Sequence, residues 1–256
     1  MDFMIEPQGK TSTVNISSSK YLGNDFLLLQ CFENFLEFGL GENVYNWQVD
    51  GKRISYSLTT SGKKKGKVRL DLSVFPVEDG IVLDTAVTNL DSKIVDHILY
   101  NTCFQFKHAP NFRDLDGERT FVQVDGKWAS VYSLPCHVGP GRWRRMQNYY
   151  VKRHRPDELI NGFMGDWGFC PTPLSRAFMA KQSSKNSLSI GIMWDRAFYA
   201  RSNMNDSHHC IHSQAVLDDI CPGDTRKRKG KVFFAPDGLD QLNEMAKNFF
   251  GWKANV

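Results

Sequence analysis

The chain has 256 residues, of which 41% are hydrophobic and 12% aromatic, and its formal net charge is +4 at pH 7. This length and apolar content fit one large all-β domain as well as two small ones. The modest charge gives no reason to expect a nucleic-acid partner. No run of about 18 apolar residues occurs in the sequence, so we predict no membrane-spanning helix and no membrane partner.

The six cysteines form no C-x-x-C pair and no dense framework. A zinc knuckle or a disulfide-stapled module is therefore a poor interpretation. Residues 1–6 lack the basic and apolar regions of a secretory signal, and we predict a cytoplasmic protein while leaving secretion open. Four basic runs, at 63–65, 142–145, 152–155 and 226–229, are typical of solvated turns and strand edges. The alternative is a rim that attracts an anionic sugar.

Alternating segments separated by tight-turn dipeptides dominate the chain. In chain order, the alternation predicts strands over 44–49, 52–58, 68–74, 81–87, 187–194 and 231–235. Such dipeptides tolerate the positive φ angles of tight hairpins. They are Asp-Gly at 50–51, 79–80, 116–117, 125–126 and 237–238, and Asn-Gly at 161–162.

Two segments depart from this pattern. Residues 137–180 are rich in Gly, Pro, Arg and aromatic residues, which is typical of a functional loop or lid. Residues 238–252 predict a helix with Asp237 as its N-cap. Its apolar stripe consists of Leu239, Leu242, Met245, Ala246 and Phe249. We predict a single all-β domain over 1–256, an antiparallel sandwich or barrel with a C-terminal helix.

Three of the seven histidines fall within residues 208–212. If this segment is a β-strand, His208, Cys210 and His212 project from one face. Imidazole titrates near neutrality and ligates metals, so the cluster indicates proton transfer or metal binding. Two histidines need a further zinc ligand, which His97 or Asp195 could supply. A metal-dependent cupin-like enzyme is therefore an alternative, although our main interpretation involves neither a metal nor an organic cofactor.

Several runs, in order along the chain, resemble motifs of the galactose mutarotase-like (aldose 1-epimerase-like) superfamily. The run DGIVLDTAVTNLDSK at 79–93 resembles its strand and turn, and HILYN at 97–101 resembles its H-x-Y-F-N strand. CIHSQ at 210–214 resembles its C-L-E-T-Q run, and CPGDT at 221–225 resembles the hairpin that follows. The chain is thus similar to a divergent member of that superfamily over roughly 80–230.

The resemblance implies an antiparallel β-supersandwich whose concave sheet binds carbohydrate. In the epimerases, the histidine of H-x-Y-F-N is a general acid and the glutamate of C-L-E-T-Q is a general base. His97 matches the acid, whereas His212 stands at the position of the glutamate. Imidazole can serve as a base near neutral pH, so His97 and His212 are the predicted catalytic residues, with His208 in support. The early Arg and Leu-His-Gly-Gly region of the superfamily has no counterpart here.

Further residues are predicted to contact the sugar. Planar arginines suit carboxylates, and aromatic rings pack on the CH-rich faces of sugars. The predicted contact residues are Asn101, His108, Arg113, Asp114, Arg144, His154, Trp167 and Asp195. The predicted function is binding of a neutral or anionic sugar in a concave cleft, with acid–base chemistry such as epimerisation or elimination. A non-catalytic carbohydrate-binding module is the other alternative, and the oligomeric state stays open.

Overall fold

A computed structural model describes residues 2–35, 45–60, 67–95, 99–135, 146–151, 168–204 and 208–252. These ranges contain seventeen strands and two α-helices, which build two packed β-sheets. The strands are β1 (Phe3–Pro7), β2 (Thr13–Ser18), β3 (Phe26–Phe35), β4 (Gln48–Asp50), β5 (Arg53–Thr59), β6 (Val68–Val77), β7 (Gly80–Asn89), β8 (Leu99–Gln105), β9 (Thr120–Val124), β10 (Lys127–Ser130), β11 (Met146–Tyr150), β12 (Gly168–Phe169), β13 (Arg176–Gln182), β14 (Ser189–Trp194), β15 (Ala197–Asn203), β16 (Cys210–Val216) and β17 (Thr225–Ala235). The helices are α1 (Ser19–Leu22) and α2 (Leu239–Phe250), and short 3₁₀ turns occupy Pro110–Phe112 and Val131–Ser133.

The two sheets have eight and nine strands. Their orders are β1-β2-β3-β8-β16-β15-β11-β12 and β10-β9-β13-β14-β17-β7-β6-β5-β4. Every pair of neighbours runs antiparallel except β11 and β12, which run parallel. The predicted antiparallel all-β sandwich is therefore confirmed.

Sequence alternation explains which face of each strand enters the core between the sheets. In β6 the predicted face of Val68, Leu70, Leu72 and Val74 is buried, while the intervening residues are more exposed. Tight turns join such strands: Asp125 and Gly126, between β9 and β10, have φ angles of +48° and +76°. Positive φ at both central residues is the type I′ geometry that matches the twist of paired strands.

Helix α2 covers the outer face of the nine-stranded sheet. Leu242 and Ala246 are fully buried there in a cluster with Phe178 and Phe233, which confirms the predicted apolar stripe. The N-cap prediction is wrong by one residue. Gly238 occupies the cap position, and the backbone N–H of the preceding residue donates to Gln241 Oε1 at 2.9 Å. Neither helix in the described ranges is long and apolar enough to cross a bilayer.

Lys231 places an amine beneath this helix. Its side chain is 4% exposed, and Nζ lies 2.5 Å from Asp79 Oδ1 and 4.6 Å from the ring centre of Phe249. Burial lowers the pKa of Lys231 below 10.5, whereas the hydrogen bond and charge of Asp79 act to raise that pKa. The carboxylate of Asp79 thus compensates a charge that the fold has removed from water.

Replacing Asp79 by Asn is expected to reduce the free energy of unfolding by about 1–3 kcal/mol, because it leaves a buried charge uncompensated. Asp84→Asn is the matched control. Its partner Lys229 lies 3.9 Å away and is 54% exposed, so that loss should stay within about 0.5 kcal/mol. Urea unfolding at pH 7 measures both variants, and equal losses would contradict the assignment.

Candidate functional site

The outer face of the eight-stranded sheet, turned away from the core, carries buried polar side chains. On β16, Ile211 and Ala215 belong to the core between the sheets. Because side chains alternate along a strand, Cys210, His212 and Gln214 lie on the opposite face. All three are nevertheless at most 2% exposed. The centre of this sheet face is therefore both polar and shielded from solvent.

The neighbouring strands extend this polar surface. His212 is paired with Cys103 on β8 and Arg201 on β15, and Gln214 is paired in the same way with Asn101 and Tyr199. Directly opposed residues in a sheet share a face. Asn148 of β11 is paired with Arg201, so its side chain lies on the same face as well. We name this set the polar face. It consists of Asn101, Cys103, Asn148, Tyr199, Arg201, Cys210, His212 and Gln214, each at most 5% exposed.

The imidazole of His212 sits between two partners. Asn101 Nδ2 lies 3.2 Å from His212 Nδ1, and Cys210 Sγ lies 3.0 Å from His212 Nε2. With the amide nitrogen facing Nδ1, its N–H donates to that atom, and the neutral ring then carries its proton on Nε2. This arrangement directs the imidazole proton towards the Cys210 sulfur.

A third donor side chain adjoins this pair. One ligand atom from each of Cys103, Cys210 and His212 lies within 4.8 Å of the other two. Cys103 is not among the residues predicted from the sequence. It stands two positions after Asn101 in β8 and therefore on the same face, which is the signal that could have found it. Sulfur and imidazole nitrogen are donors that soft transition metals prefer.

Two polar atoms of the polar face have no hydrogen-bond partner within the described ranges. They are Gln214 Nε2 and Asn148 Oδ1, one a donor and the other an acceptor. Both residues are almost completely buried. A buried polar atom without a partner carries a penalty of about 1–3 kcal/mol, so the face retains hydrogen-bonding capacity that a polar ligand can use.

No protein-family model matches the chain, and no curated protein matches it. Among solved structures, the galactose mutarotase-like protein from Lactobacillus casei aligns with a TM-score of 0.53 and 12% identity, covering 91% of this chain and 97% of that chain. The chain has the galactose mutarotase-like fold. The α-N-acetylgalactosaminidase NagBb from Bifidobacterium bifidum, in a GalNAc complex, aligns with a TM-score of 0.55 and 8% identity, covering 98% of this chain and 38% of that chain. Its ligand-free structure gives a TM-score of 0.56 at 9% identity, with the same coverage of both chains.

Within the mutarotase-like sandwich, two of the runs noted in the sequence occupy adjacent strands. β8 carries the end of the HILYN run and β16 carries CIHSQ. The 3.2 Å contact between Asn101 and His212 joins them. Residues separated by more than a hundred positions in the sequence thus meet at one place on the polar face.

His208 lies outside this arrangement. β16 begins only at Cys210, and His208 is an exposed residue in the preceding turn. Between them, the buried His209 has a φ of +45°, which interrupts the extended backbone. The predicted alternation therefore holds for Cys210 and His212 but does not extend to His208.

Three predicted sugar contacts lie in the segment that follows β8. His108 stacks on Phe26 with 4.3 Å between ring centroids, and partial burial, followed by the charge of Lys107, lowers its pKa. Asp114 is buried and accepts hydrogen bonds from Thr120 Oγ1 at 2.6 Å and from a backbone N–H. Arg113 is exposed. The contacts of His108 and Asp114 shape this loop.

Asp195 follows β14, a strand of the nine-stranded sheet. It lines a cavity of about 740 Å³ beside the nine-stranded sheet, together with Asp84 and Lys229. Burial raises the pKa of Asp195, while the backbone hydrogen bond at Lys229 and the charge of Arg228 lower it. The structure therefore does not bring Asp195 to the polar face.

Four predicted site residues fall outside the described ranges: His97, Arg144, His154 and Trp167. Their predicted roles stay predictions. The same is true of the Asn-Gly turn at 161–162.

Proposed function

We propose that the protein binds a carbohydrate on the polar face. The supporting observation is a buried set of amide, guanidinium, phenol and imidazole groups in which Gln214 Nε2 and Asn148 Oδ1 have no hydrogen-bond partner among the described residues. A sugar hydroxyl donates one hydrogen bond and accepts others, so it suits both atoms. Small-molecule sites commonly place a few convergent polar groups in a shielded surface.

Arg201 adds a positively charged group to the polar face, which extends the proposed ligands to acidic sugars. Its guanidinium is buried on the polar face, opposite His212 in the strand register. Arginine binds carboxylates through paired N–H groups, so sugars that carry a carboxylate belong to the class along with neutral ones. The GalNAc complex among the matched structures is in keeping with a carbohydrate ligand.

The cavity beside the nine-stranded sheet is the competing location. Its lining includes Asp71, Asp84 and Lys229, which already have charged partners. Arg69 Nε lies 3.1 Å from Asp71 Oδ2, and Lys229 Nζ lies 3.9 Å from Asp84 Oδ1. These side chains are well exposed to water, so a sugar hydroxyl gains little there that solvent does not already provide.

Proton transfer on the bound sugar is the second candidate function. It is favoured by the contacts of His212, whose Nδ1 faces Asn101 and whose Nε2 faces the Cys210 thiol. For the ring to act as a general base, the Asn101 amide must first turn away from Nδ1, so that this lone pair can take the proton of the sugar. Epimerisation and β-elimination both begin with such a proton removal.

The binding proposal predicts that at least one of glucose, galactose, N-acetylgalactosamine and galacturonate raises the melting temperature of the protein, because a ligand of the native state stabilises it. Gln214→Ala should weaken the affinity for that sugar at least tenfold, or about 1.4 kcal/mol. Calorimetry measures the affinity, and each thermal shift is taken from the variant's own ligand-free melting temperature.

Ser57→Ala, in the lining of the competing cavity, is the matched control and should leave the affinity unchanged. If Ser57→Ala lost the sugar while Gln214→Ala kept the affinity of the parent, the binding site would be the cavity beside the nine-stranded sheet. A panel in which no sugar shifts the melting temperature would reject these four ligands. For the second candidate, His212→Asn should abolish turnover of the sugar that binds while binding persists.

A further inference from the structure

Within the polar face, Cys103, Cys210 and His212 also form a compact set of metal donors. Their ligand atoms all lie within 4.8 Å of one another, and each side chain is about 1% exposed. We propose that these three residues bind a zinc ion through two thiolates and the Nε2 atom of the imidazole.

The distances suit a zinc coordination shell. Zinc lies about 2.3 Å from thiolate sulfur and about 2.0–2.1 Å from imidazole nitrogen, so neighbouring donors of a tetrahedral shell are roughly 3.6–3.8 Å apart. Cys210 Sγ and His212 Nε2 are 3.0 Å apart, and no pair exceeds 4.8 Å. Side-chain adjustments on the order of 1 Å would bring all three donors to one ion.

The backbone already holds the donors in place. Cys103 and His212 are cross-strand partners in β8 and β16, and Cys210 precedes His212 by two residues on the same face. Both strands lie in the interior of the eight-stranded sheet. Sites built on rigid elements keep their ligands near the productive geometry, so zinc binding requires no rearrangement of the chain.

Charge and donor type favour zinc. Two thiolates and one Zn²⁺ sum to zero, which lowers the penalty of burying the thiolates away from water. The set contains sulfur and imidazole donors, whereas magnesium and calcium require oxygen ligands. These three donors of the described residues fill three of the four positions of a tetrahedral ion.

Zinc would also change the role of His212. With Nε2 bound to the metal, the ring proton moves to Nδ1, which donates to the amide oxygen of Asn101 once that amide has flipped, since its nitrogen now faces Nδ1. Such a second partner is the usual arrangement for a metal-bound histidine. Zinc binding does not depend on the proposed sugar binding, because its test uses no sugar, and the sugar assays are run with a chelator present.

The test uses the full chain, reduced, stripped with a chelator and then titrated with Zn²⁺ or with Co²⁺ as a spectroscopic substitute. We expect one ion per chain, a thiolate-to-cobalt charge-transfer band and a higher melting temperature with zinc. Cys103→Ser and Cys210→Ser should each weaken binding by at least about 100-fold, since losing even an outer partner of a ligand weakens binding 10–100-fold. Cys221→Ser, which changes an exposed cysteine, is the control and should bind normally.

The proposal would be overturned if the unaltered chain gave neither the charge-transfer band nor a thermal shift with zinc. It would also be overturned if both serine variants kept the affinity of the parent. Oxidation of Cys103 and Cys210 to a disulfide by dissolved oxygen, in preference to zinc uptake, would also overturn the proposal. Because the first readout uses the parent protein, a variant that fails to fold does not leave the question open.

Discussion

Replacing Trp194 by alanine is expected to lower the free energy of unfolding by about 3–5 kcal/mol, the usual loss for deleting a buried tryptophan. The indole is fully buried between the sheets and meets the ring of Tyr100 edge-on, with 5.1 Å between centroids. Its Nε1 donates to Thr102 Oγ1 at 3.3 Å. An added Cβ at Gly230 would lie 2.7 Å from the indole, so the glycine backbone already packs closely against the ring.

Urea unfolding of the variant measures this loss. Trp194→Phe keeps much of the volume and should lose less, whereas Val49→Ala, at a 69% exposed position, should change stability by no more than about 0.5 kcal/mol. A loss below about 1 kcal/mol for Trp194→Ala would show that the sheets close over the cavity. Since Tyr100 and Thr102 lie in β8, the variant should also weaken the sugar binding that we propose for the polar face.

Lys181→Met is expected to change how stability depends on pH. The amine is fully buried, with Nζ 3.4 Å from the carbonyl oxygen of Phe112. Burial lowers its pKa from 10.5 to about 8, although the charge of Asp114 partly opposes this. The unfolded chain therefore holds the proton more tightly than the native protein does.

The free energy of unfolding of the parent should rise with pH relative to that of the variant, because the unfolded chain binds the Lys181 proton more tightly. Below pH 8 the amine is protonated in both states, and the penalty of burying its charge is fully present. Between about pH 8 and 10.5 the native amine loses its proton first, so the parent gains stability relative to the methionine variant. The full difference corresponds to about 3 kcal/mol.

Denaturant unfolding of parent and variant between pH 7 and 10 tests this expectation through the difference between the two proteins. Burial also raises the pKa values of Cys31 and Tyr100, but those groups affect both proteins equally. Lys185→Met, at an exposed position, should show no such trend. A difference between parent and Lys181→Met that stays constant with pH would contradict the prediction.

Local features of this fold follow from the sequence. The Asp-Gly hairpins and the alternating face of β6 depend on neighbouring residues, and so does the apolar stripe of α2. The pairing of β8 with β16 joins residues more than a hundred positions apart, and periodicity carries no information on such distant contacts. Only the resemblance to known motifs predicted that Asn101 and His212, which are 3.2 Å apart in the structure, belong to one site.

The structure does not bring His208 and Asp195 to the polar face, and the reasons are similar. Alternation correctly groups Cys210 with His212, but it extends to His208 only if the strand does, and the positive φ of His209 prevents that. Asp195 follows β14 directly, and nothing in its local sequence shows that β14 belongs to the opposite sheet. Cys103 could have been found by counting two residues on from Asn101.

β16, which carries His212, lies between β8 and β15 in the interior of the eight-stranded sheet. Every residue from Cys210 to Val216 is paired with β8, and six of the seven are paired with β15. Local opening of a strand held on both sides requires both ladders to break, so such strands exchange their amide hydrogens last. His212 and its partners should therefore stay assembled through fluctuations of the loops and edge strands, and disperse only when the whole domain unfolds.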